Sequence, residues 1–228
     1  MMSIEEAIAG RRSIRAFLPT PVPRETIEHI LRIAGRAPSG SNIQPWKVRV
    51  LTGAAKARLA AELTALHDAG DPGRRAYNYY PVDWREPYLA RRRACGFGLY
   101  ATLGLGRGDK AGMHAQHARN YTFFDAPVGL IVSVDRDMEI GSWLDTGMFL
   151  QSIMLAARGE GLETCPQAAF ATYPDVVQTI AGIPATEMLV CGMALGHADP
   201  AAIVNTFVTE RIDIDAFVTF VDAADHAP

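Results

Sequence analysis

The chain is poor in the features that announce whole classes of protein. Its three cysteines, Cys95, Cys165 and Cys191, are unevenly spaced, with no Cys-x-x-Cys pair and no histidine at ligand spacing. That excludes a disulfide framework and a structural zinc site, and leaves them as reduced core thiols. His114 and His117, three apart, read as a surface pair rather than metal ligands. Neither sign of charge dominates: the net charge is −3 and the pI about 6.1, so no field gathers nucleic acid and any phosphate recognition has to be local. The longest apolar runs, such as Met188 to Leu195, fall far short of the roughly 20 residues that span a bilayer. The first twenty residues carry Glu5, Glu6 and three arginines in place of an apolar stretch, so no secretory signal is expected and a cytoplasmic location is. Gly104-x-Gly106-x-Gly108 is not a dinucleotide fingerprint, because Asp109 stands where the third glycine belongs and no strand precedes it.

What is present is a core-forming composition, 49% hydrophobic over 228 residues, and an alternation of helical and strand patterns without internal repeats. We expect one domain over 1–228. Ser3 opens a Ser-x-x-Glu capping box and the first helix stops at Gly10. Pro23 opens a second helix, whose Ile27, Ile30, Leu31 and Ala34 share one face. Lys47 to Leu51 alternates as a half-exposed strand, and Ala54 to His67 is a third helix. Val128 to Val134 and Met188 to Leu195 are near-continuous apolar runs, the pattern of central strands covered on both faces. Ser142 to Asp145 has the form of another capping box, and the apolar residues Met148, Phe149, Leu150, Ile153, Met154 and Leu155 surround most of the helix after it. A helix apolar on all sides is either the centre of one core or packed against a second copy of the chain. The last apolar run, Phe217 to Val221, is expected as a strand.

The 67–121 segment differs from the rest. It holds Asp71-Pro72-Gly73, Tyr77, Tyr79, Tyr80, Tyr88, Tyr100 and Trp84, with helices interrupted by Gly96, Gly98, Gly104, Gly106 and Gly108. That composition suits a mobile, lid-like cover. Its Arg91-Arg92-Arg93 run is either a solvated helix face or a greeting surface for an anionic aromatic molecule such as a nitrobenzoate.

Two motifs carry the chemistry. Arg11-Arg12-Ser13-Ile14-Arg15 places three guanidinium groups and a hydroxyl within five residues, a donor set that closes on a phosphate or other dianion. A helix end facing water is the plainer alternative. Pro38-Ser39-Gly40-Ser41-Asn42-Ile43-Gln44-Pro45-Trp46 is a turn-forming run whose short side chains and exposed N–H groups satisfy polar ligands. We expect the two to form halves of one pocket.

In that order the two motifs resemble the FMN-dependent nitroreductases, in the subgroup with a long lid insertion. The resemblance implies an α+β fold with a central, mainly antiparallel sheet flanked by helices, and a homodimer in which the C-terminal strand crosses to the partner. It further implies an FMN cofactor, NAD(P)H as transient donor and a small aromatic acceptor, in a ping-pong NAD(P)H-dependent oxidoreductase of nitroaromatics or quinones. Reductive dehalogenation, enone reduction, flavin breakdown and a non-catalytic flavin sensor or store are the alternatives on the same fold. By resemblance the cofactor contacts are Arg11, Arg12, Ser13, Arg15, Pro38, Ser39, Gly40 and Asn42. They continue with Cys165, Pro166, Gln167 and Ala168 in a Gly-Leu-x-Thr-x-Pro loop along the flavin edge, and end with Arg211 on the phosphate. Thr209 stands where some members have lysine, which removes one cation from that clamp. No acid–base side chain is implied; Arg15 supports charge near flavin N1. Ser41, Trp84 and Tyr88 are the expected substrate contacts.

Overall fold

The computed structural model describes residues 2–221. Helix α1 (Ile4–Gly10) starts as its sequence dictates: the Ser3 hydroxyl accepts from Glu6 N–H at 3.1 Å, while the Glu6 carboxylate accepts from Ser3 N–H at 2.6 Å. Beyond Gly10 the chain turns extended at Arg11 and carries the arginine motif away from the helix axis. Helices α2 (Arg24–Ala34), α3 (Gly53–Asp68), α4 (Tyr88–Thr102), α5 (Lys110–Ala118), α6 (Ile140–Gly159) and α7 (Pro174–Ala181) follow in order, interleaved with strands β1 (Lys47–Leu51), β2 (Val128–Asp135), β3 (Glu163–Gln167) and β4 (Glu187–Gly196).

The four strands form one antiparallel sheet in the order β1-β2-β4-β3. The two continuous apolar runs are its central strands, because each must present apolar side chains to helices on both faces. Leu130 of β2 and Met193 and Leu195 of β4 meet Ile27, Ile30 and Phe149 of α2 and α6. On the opposite face Ile131, Leu189 and Ala194 meet Leu59 and Leu63 of α3, Val177 of α7, and Phe123 and Phe170. Each such fully buried Leu, Ile or Phe contributes about 1.5–3 kcal/mol relative to an exposed position.

The register slips between Val132 and Ser133, where Cys191 and Leu189 are the successive partners and Val190 is left over. This bulge puts Val190 and Cys191 on the same face, toward Trp143 and Leu150 of α6. It also frees the Val190 carbonyl, which accepts a hydrogen bond from the Tyr77 hydroxyl. Tyr77 packs edge-on against Trp143, with ring centroids 4.7 Å apart, so the bulge docks the start of the 67–121 segment onto the sheet.

Several expectations are corrected. The helix of the Ser142 pattern begins earlier, at Ile140, so Ser142 lies inside it and its hydroxyl reaches Met138 Sδ at 3.4 Å instead of capping. The Gly161 to Ala169 stretch is not wholly a loop: Glu163–Gln167 pairs with β4, and Pro166 is accommodated because β3 is an edge strand. Helix α4 runs uninterrupted through Gly96 and Gly98; the ring of Phe207 occupies the space above Gly98, where a Cβ would come within 2.7 Å of it. Phe217 to Val221 is no strand within the single chain: it follows a short 3-10 turn at Ile214–Ala216, the N–H groups of Phe217 and Val218 turn back to Ile214 O, and Phe220 is 82% exposed.

Helix α6 is covered on one side only. Phe149, Ile153 and Ala157 are buried, whereas Ile140 and Leu144 are 83% and 69% exposed. Helix α5 is tied to α3 by a stack of His114 on His67, centroids 4.0 Å apart, and by His114 Nε2 at 3.0 Å from Asp68 Oδ1. One ring nitrogen each of His67 and His114 and a carboxylate oxygen of Asp68 lie within 4.8 Å of one another. Among the described residues no helix is long and apolar enough to cross a membrane.

Candidate cofactor cleft

The extended arginine segment is held in place at two points. Ile14 N–H donates to Thr164 O at 3.1 Å, which seats the segment along the open edge of β3, and the buried Asn205 accepts from Arg15 N–H at 2.8 Å. Asn205 also donates to Ala16 O at 2.8 Å and to Asp199 O at 2.9 Å. The C-terminal arm after Asn205 thereby returns to the same place and brings Arg211 with it. Arg11, Arg12, Ser13, Arg15 and Arg211 line one cavity of about 710 Å³, together with Cys95 from α4.

Among the described residues none of these four guanidinium groups forms an ion pair. Arg15 donates to Ser13 O at 3.1 Å and Arg211 to Thr209 Oγ1 at 2.7 Å, so main-chain and hydroxyl oxygens aim them without neutralising them. Beneath them Arg158 pairs with Glu163, and Gly10 leaves room for its guanidinium. Four cations that form no ion pair among the described residues make a donor set complementary to a multiply charged anion. The phosphorylated flavin that the sequence resemblance implies fits this donor set and this volume.

The edge of β3 supplies the other wall. Its alternation turns the main-chain groups of Thr164 and Pro166 away from β4. Thr164 O is taken by Ile14 and Pro166 has no N–H; Ala168, just past the strand, opens a 3-10 turn. Gln167 is buried, its amide donating to Asn120 O at 2.7 Å. Cys165 is buried too; burial pushes its thiol up to about 11 despite Arg15 and Ser13 nearby, so it is a protonated packing group and not a nucleophile. A cavity of about 660 Å³ opens beside Pro166, Gln167 and Ala168, walled by Tyr77, Trp143 and Leu150.

The second motif lies elsewhere. Pro38, Gly40, Ser41 and Asn42 are exposed and Ser39 nearly so, beside α6, where Gly40 N–H donates to Asp145 Oδ2 at 3.2 Å and Gln44 N–H to Ser39 Oγ at 3.0 Å. Ser41, Asn42 and Gln44 have φ of 48°, 58° and 50°, a left-handed turn that presents the loop outward. Among the described residues the cavity lined by the arginine motif has no lining residue from the second motif. Trp84 and Tyr88 also stand apart from the cleft: Arg92 lies over the Trp84 ring at 4.7 Å and Arg85 over the Tyr88 ring at 4.9 Å. Sequence reading missed Asn205, Phe207, Tyr77 and Trp143. Of these only Tyr77, one of the aromatics of the 67–121 segment, gave a compositional signal.

An α+β fold with an arginine cleft at the open edge of an antiparallel sheet defines the class of this protein. Residues 8–197 match the model of the Nitroreductase family, and the chain belongs to that family. It is 40% identical over 221 residues to a 4-nitrobenzoate reductase of Nocardioides sp. (strain LMS-CY), covering 96% of this chain and 90% of that protein. It is 41% identical over 219 residues to a chloronitrobenzene nitroreductase of Comamonas testosteroni, covering 96% of each. Among solved structures it resembles the FMN and NADPH-dependent nitroreductase NfnB from Sphigopyxis sp. strain HMH, with a TM-score of 0.93 and 39% identity over 96% of this chain and 99% of that one.

Proposed function

We propose that the protein is an FMN-dependent oxidoreductase that passes electrons from NAD(P)H to nitroaromatic or quinone-type acceptors, and that it works as a homodimer in the cytoplasm. The observation that carries this reading is the set of four arginines, without an ion pair among the described residues, beside the open edge of β3. Arg11, Arg12, Ser13 and Arg211 would hold the phosphate and ribityl chain. Arg15 would lie near N1 and the C2 oxygen, and the Cys165–Ala168 backbone along the ring edge. When bound, FMN supplies hydride acceptance at N5 and gives the electrons up to an acceptor stacked on the same face, so donor and acceptor take turns.

The chain's own residues have three tasks. The arginines bind the dianion and fix its register. Arg15 would stabilise the negative charge that the reduced ring carries at neutral pH, its backbone fixed by Asn205 and its guanidinium aimed by Ser13 O. The main-chain donor at Ala168 orients the ring edge without any acid–base side chain, and the apolar wall of Tyr77, Trp143 and Leu150 offers an aromatic acceptor a dry surface.

Pro38, Ser39, Gly40 and Asn42 would close the cleft of a second copy, since they are presented outward beside the uncovered face of α6. Ile140 and Leu144 on that face would be buried between the two copies. The exposed Phe217, Phe220 and Val221 would add to the partner's sheet at β1, whose outer edge is unpaired in the single chain. The 67–121 segment, docked by Tyr77 and tethered through His114, would be the lid. Purified protein should be yellow and oxidise NADPH or NADH when given a nitroaromatic. Yellow protein that neither nucleotide reduces would support a flavin store and contradict the enzyme.

A further inference from the structure

Where the 67–121 segment leaves and rejoins the body of the protein, it gathers metal-binding side chains that the cofactor cleft does not use. His67 and Asp68 end α3, and His114 stands on α5, 46 positions beyond Asp68. One ring nitrogen from each histidine and one Asp68 oxygen lie within 4.8 Å of one another. Among the described residues the arginine cleft and the cavity beside Ala168 include none of the three in their walls. We propose that His67, Asp68 and His114 bind one divalent ion of the zinc class, and that the ion clamps the base of the 67–121 segment. The inference does not rest on the flavin reading above.

Three observations carry it. The first is the donor set. Two imidazoles and a carboxylate, with no thiolate, suit zinc, cobalt, nickel or copper, whereas magnesium and calcium take oxygen donors. Sequence spacing sets His114 and His117 apart as a surface pair; the fold supplies His67 and Asp68 from the neighbouring helix instead. His117 stays beside the set, its ring centroid 5.0 Å from that of His67.

The second is distance. Donors held at about 2.0–2.1 Å from one ion stand about 3–3.5 Å apart. His114 Nε2 and Asp68 Oδ1 are already 3.0 Å apart, so with an ion in place of the shared proton this pair spans one edge of its coordination shell. The imidazoles, stacked at 14° from parallel, then tilt toward the ion about their broad χ2 torsions. The third is access and leverage. The side chains of His114 and Asp68 are 45% and 58% exposed, so an ion enters from solvent and water completes a site of three protein ligands. An exposed His–Asp pair alone does little to hold α5, whereas an ion joining donors 46 positions apart closes a long loop.

The test is calorimetric titration of the full chain, stripped of metal with a chelator and dialysed, with zinc chloride, for the wild type, His114→Gln, Asp68→Asn and His29→Gln. His29 is the control, a half-exposed histidine 3.5 Å from Glu160 and outside the set. The wild type and His29→Gln are expected to take up one ion per chain with the same affinity, and His114→Gln and Asp68→Asn to bind at least about tenfold more weakly. Magnesium chloride should give no binding over the same concentrations. Saturating zinc should raise Tm and slow tryptic cleavage between Arg74 and Lys110 severalfold in the wild type, with neither effect in Asp68→Asn. Equal zinc affinity in all four proteins, a loss in His29→Gln as large as in His114→Gln, or equal uptake of magnesium would each overturn the site. Zinc uptake that leaves the cleavage rate unchanged would overturn the clamp. Circular dichroism spectra that match the wild type separate these outcomes from loss of the fold. Yellow protein that takes up no zinc overturns this inference alone; colourless protein with the full zinc response overturns the flavin reading alone.

Discussion

Asn205 and Arg15, 190 residues apart in the chain, are joined by a 2.8 Å hydrogen bond from the Arg15 N–H to the Asn205 side-chain oxygen. The same buried amide donates to Ala16 O and Asp199 O, so one side chain fixes the arginine segment against the turn that leads to Arg211. Asn205→Ala leaves those groups without partners in a buried place, at a cost of about 1–3 kcal/mol, and should loosen both halves of the proposed phosphate clamp together. Urea unfolding should show a lowered midpoint, and titration with FMN should show weakened affinity even where the variant remains fully folded. Unchanged affinity in a folded variant would show that Asn205 does not position the clamp.

In the proposed function Arg15 is the group that would stabilise charge on the reduced ring. Arg15→Ala should lower the potential of the bound flavin, by on the order of 30 mV for each 1.4 kcal/mol of stabilisation lost in a two-electron couple, and slow reduction by NAD(P)H. A spectroelectrochemical titration reads it directly. An unchanged potential would refute the assignment.

Stability at low pH should depend on Glu187, whose side chain is 5% exposed. Burial alone would raise its carboxyl, but hydrogen bonds from Arg49 and Ser133 and the charges of Arg49 and Lys47 outweigh it and hold the group at about 2. A carboxyl depressed on folding contributes stability that is complete above its ordinary value near 4.5 and is lost as pH falls toward 2. Glu187→Gln should therefore cost roughly 2–3 kcal/mol at neutral pH, and the gap in urea midpoint between variant and wild type should narrow below about pH 4.5. A gap that stays constant down to about pH 3 would contradict the role.

The parts of the fold that were legible in the sequence are those set by local chemistry. Ser3 and Glu6 close their own capping box, and the Val128 and Met188 runs are too apolar for anything but central strands. What escaped is set by distant partners. The bulge at Val190 is invisible in a run where every residue is apolar, since no alternation remains to show a parity change. Cys165-Pro166 reads as loop because proline breaks ladders, and only the edge position of β3 permits it. Ser142 mimics a cap, yet the helix starts a half turn earlier. Asn205 looks like any polar turn residue until Arg15 and Ala16 arrive from the other end of the chain. In the cleft, the arginines were readable as a cluster because they are adjacent; the Pro38 to Asn42 loop was readable as a turn of short polar residues, but not that it lies outside the cavity its own chain's arginines line.

The central claim is that two copies of this chain hold FMN between the arginine cleft of one and the Pro38 to Asn42 loop of the other. Sedimentation velocity of the FMN-reconstituted protein, followed at the flavin's visible absorbance, tests both halves at once. The account predicts a single boundary of dimer mass that carries the flavin signal. A colourless protein boundary of monomer mass, with all the flavin left unsedimented, would contradict it.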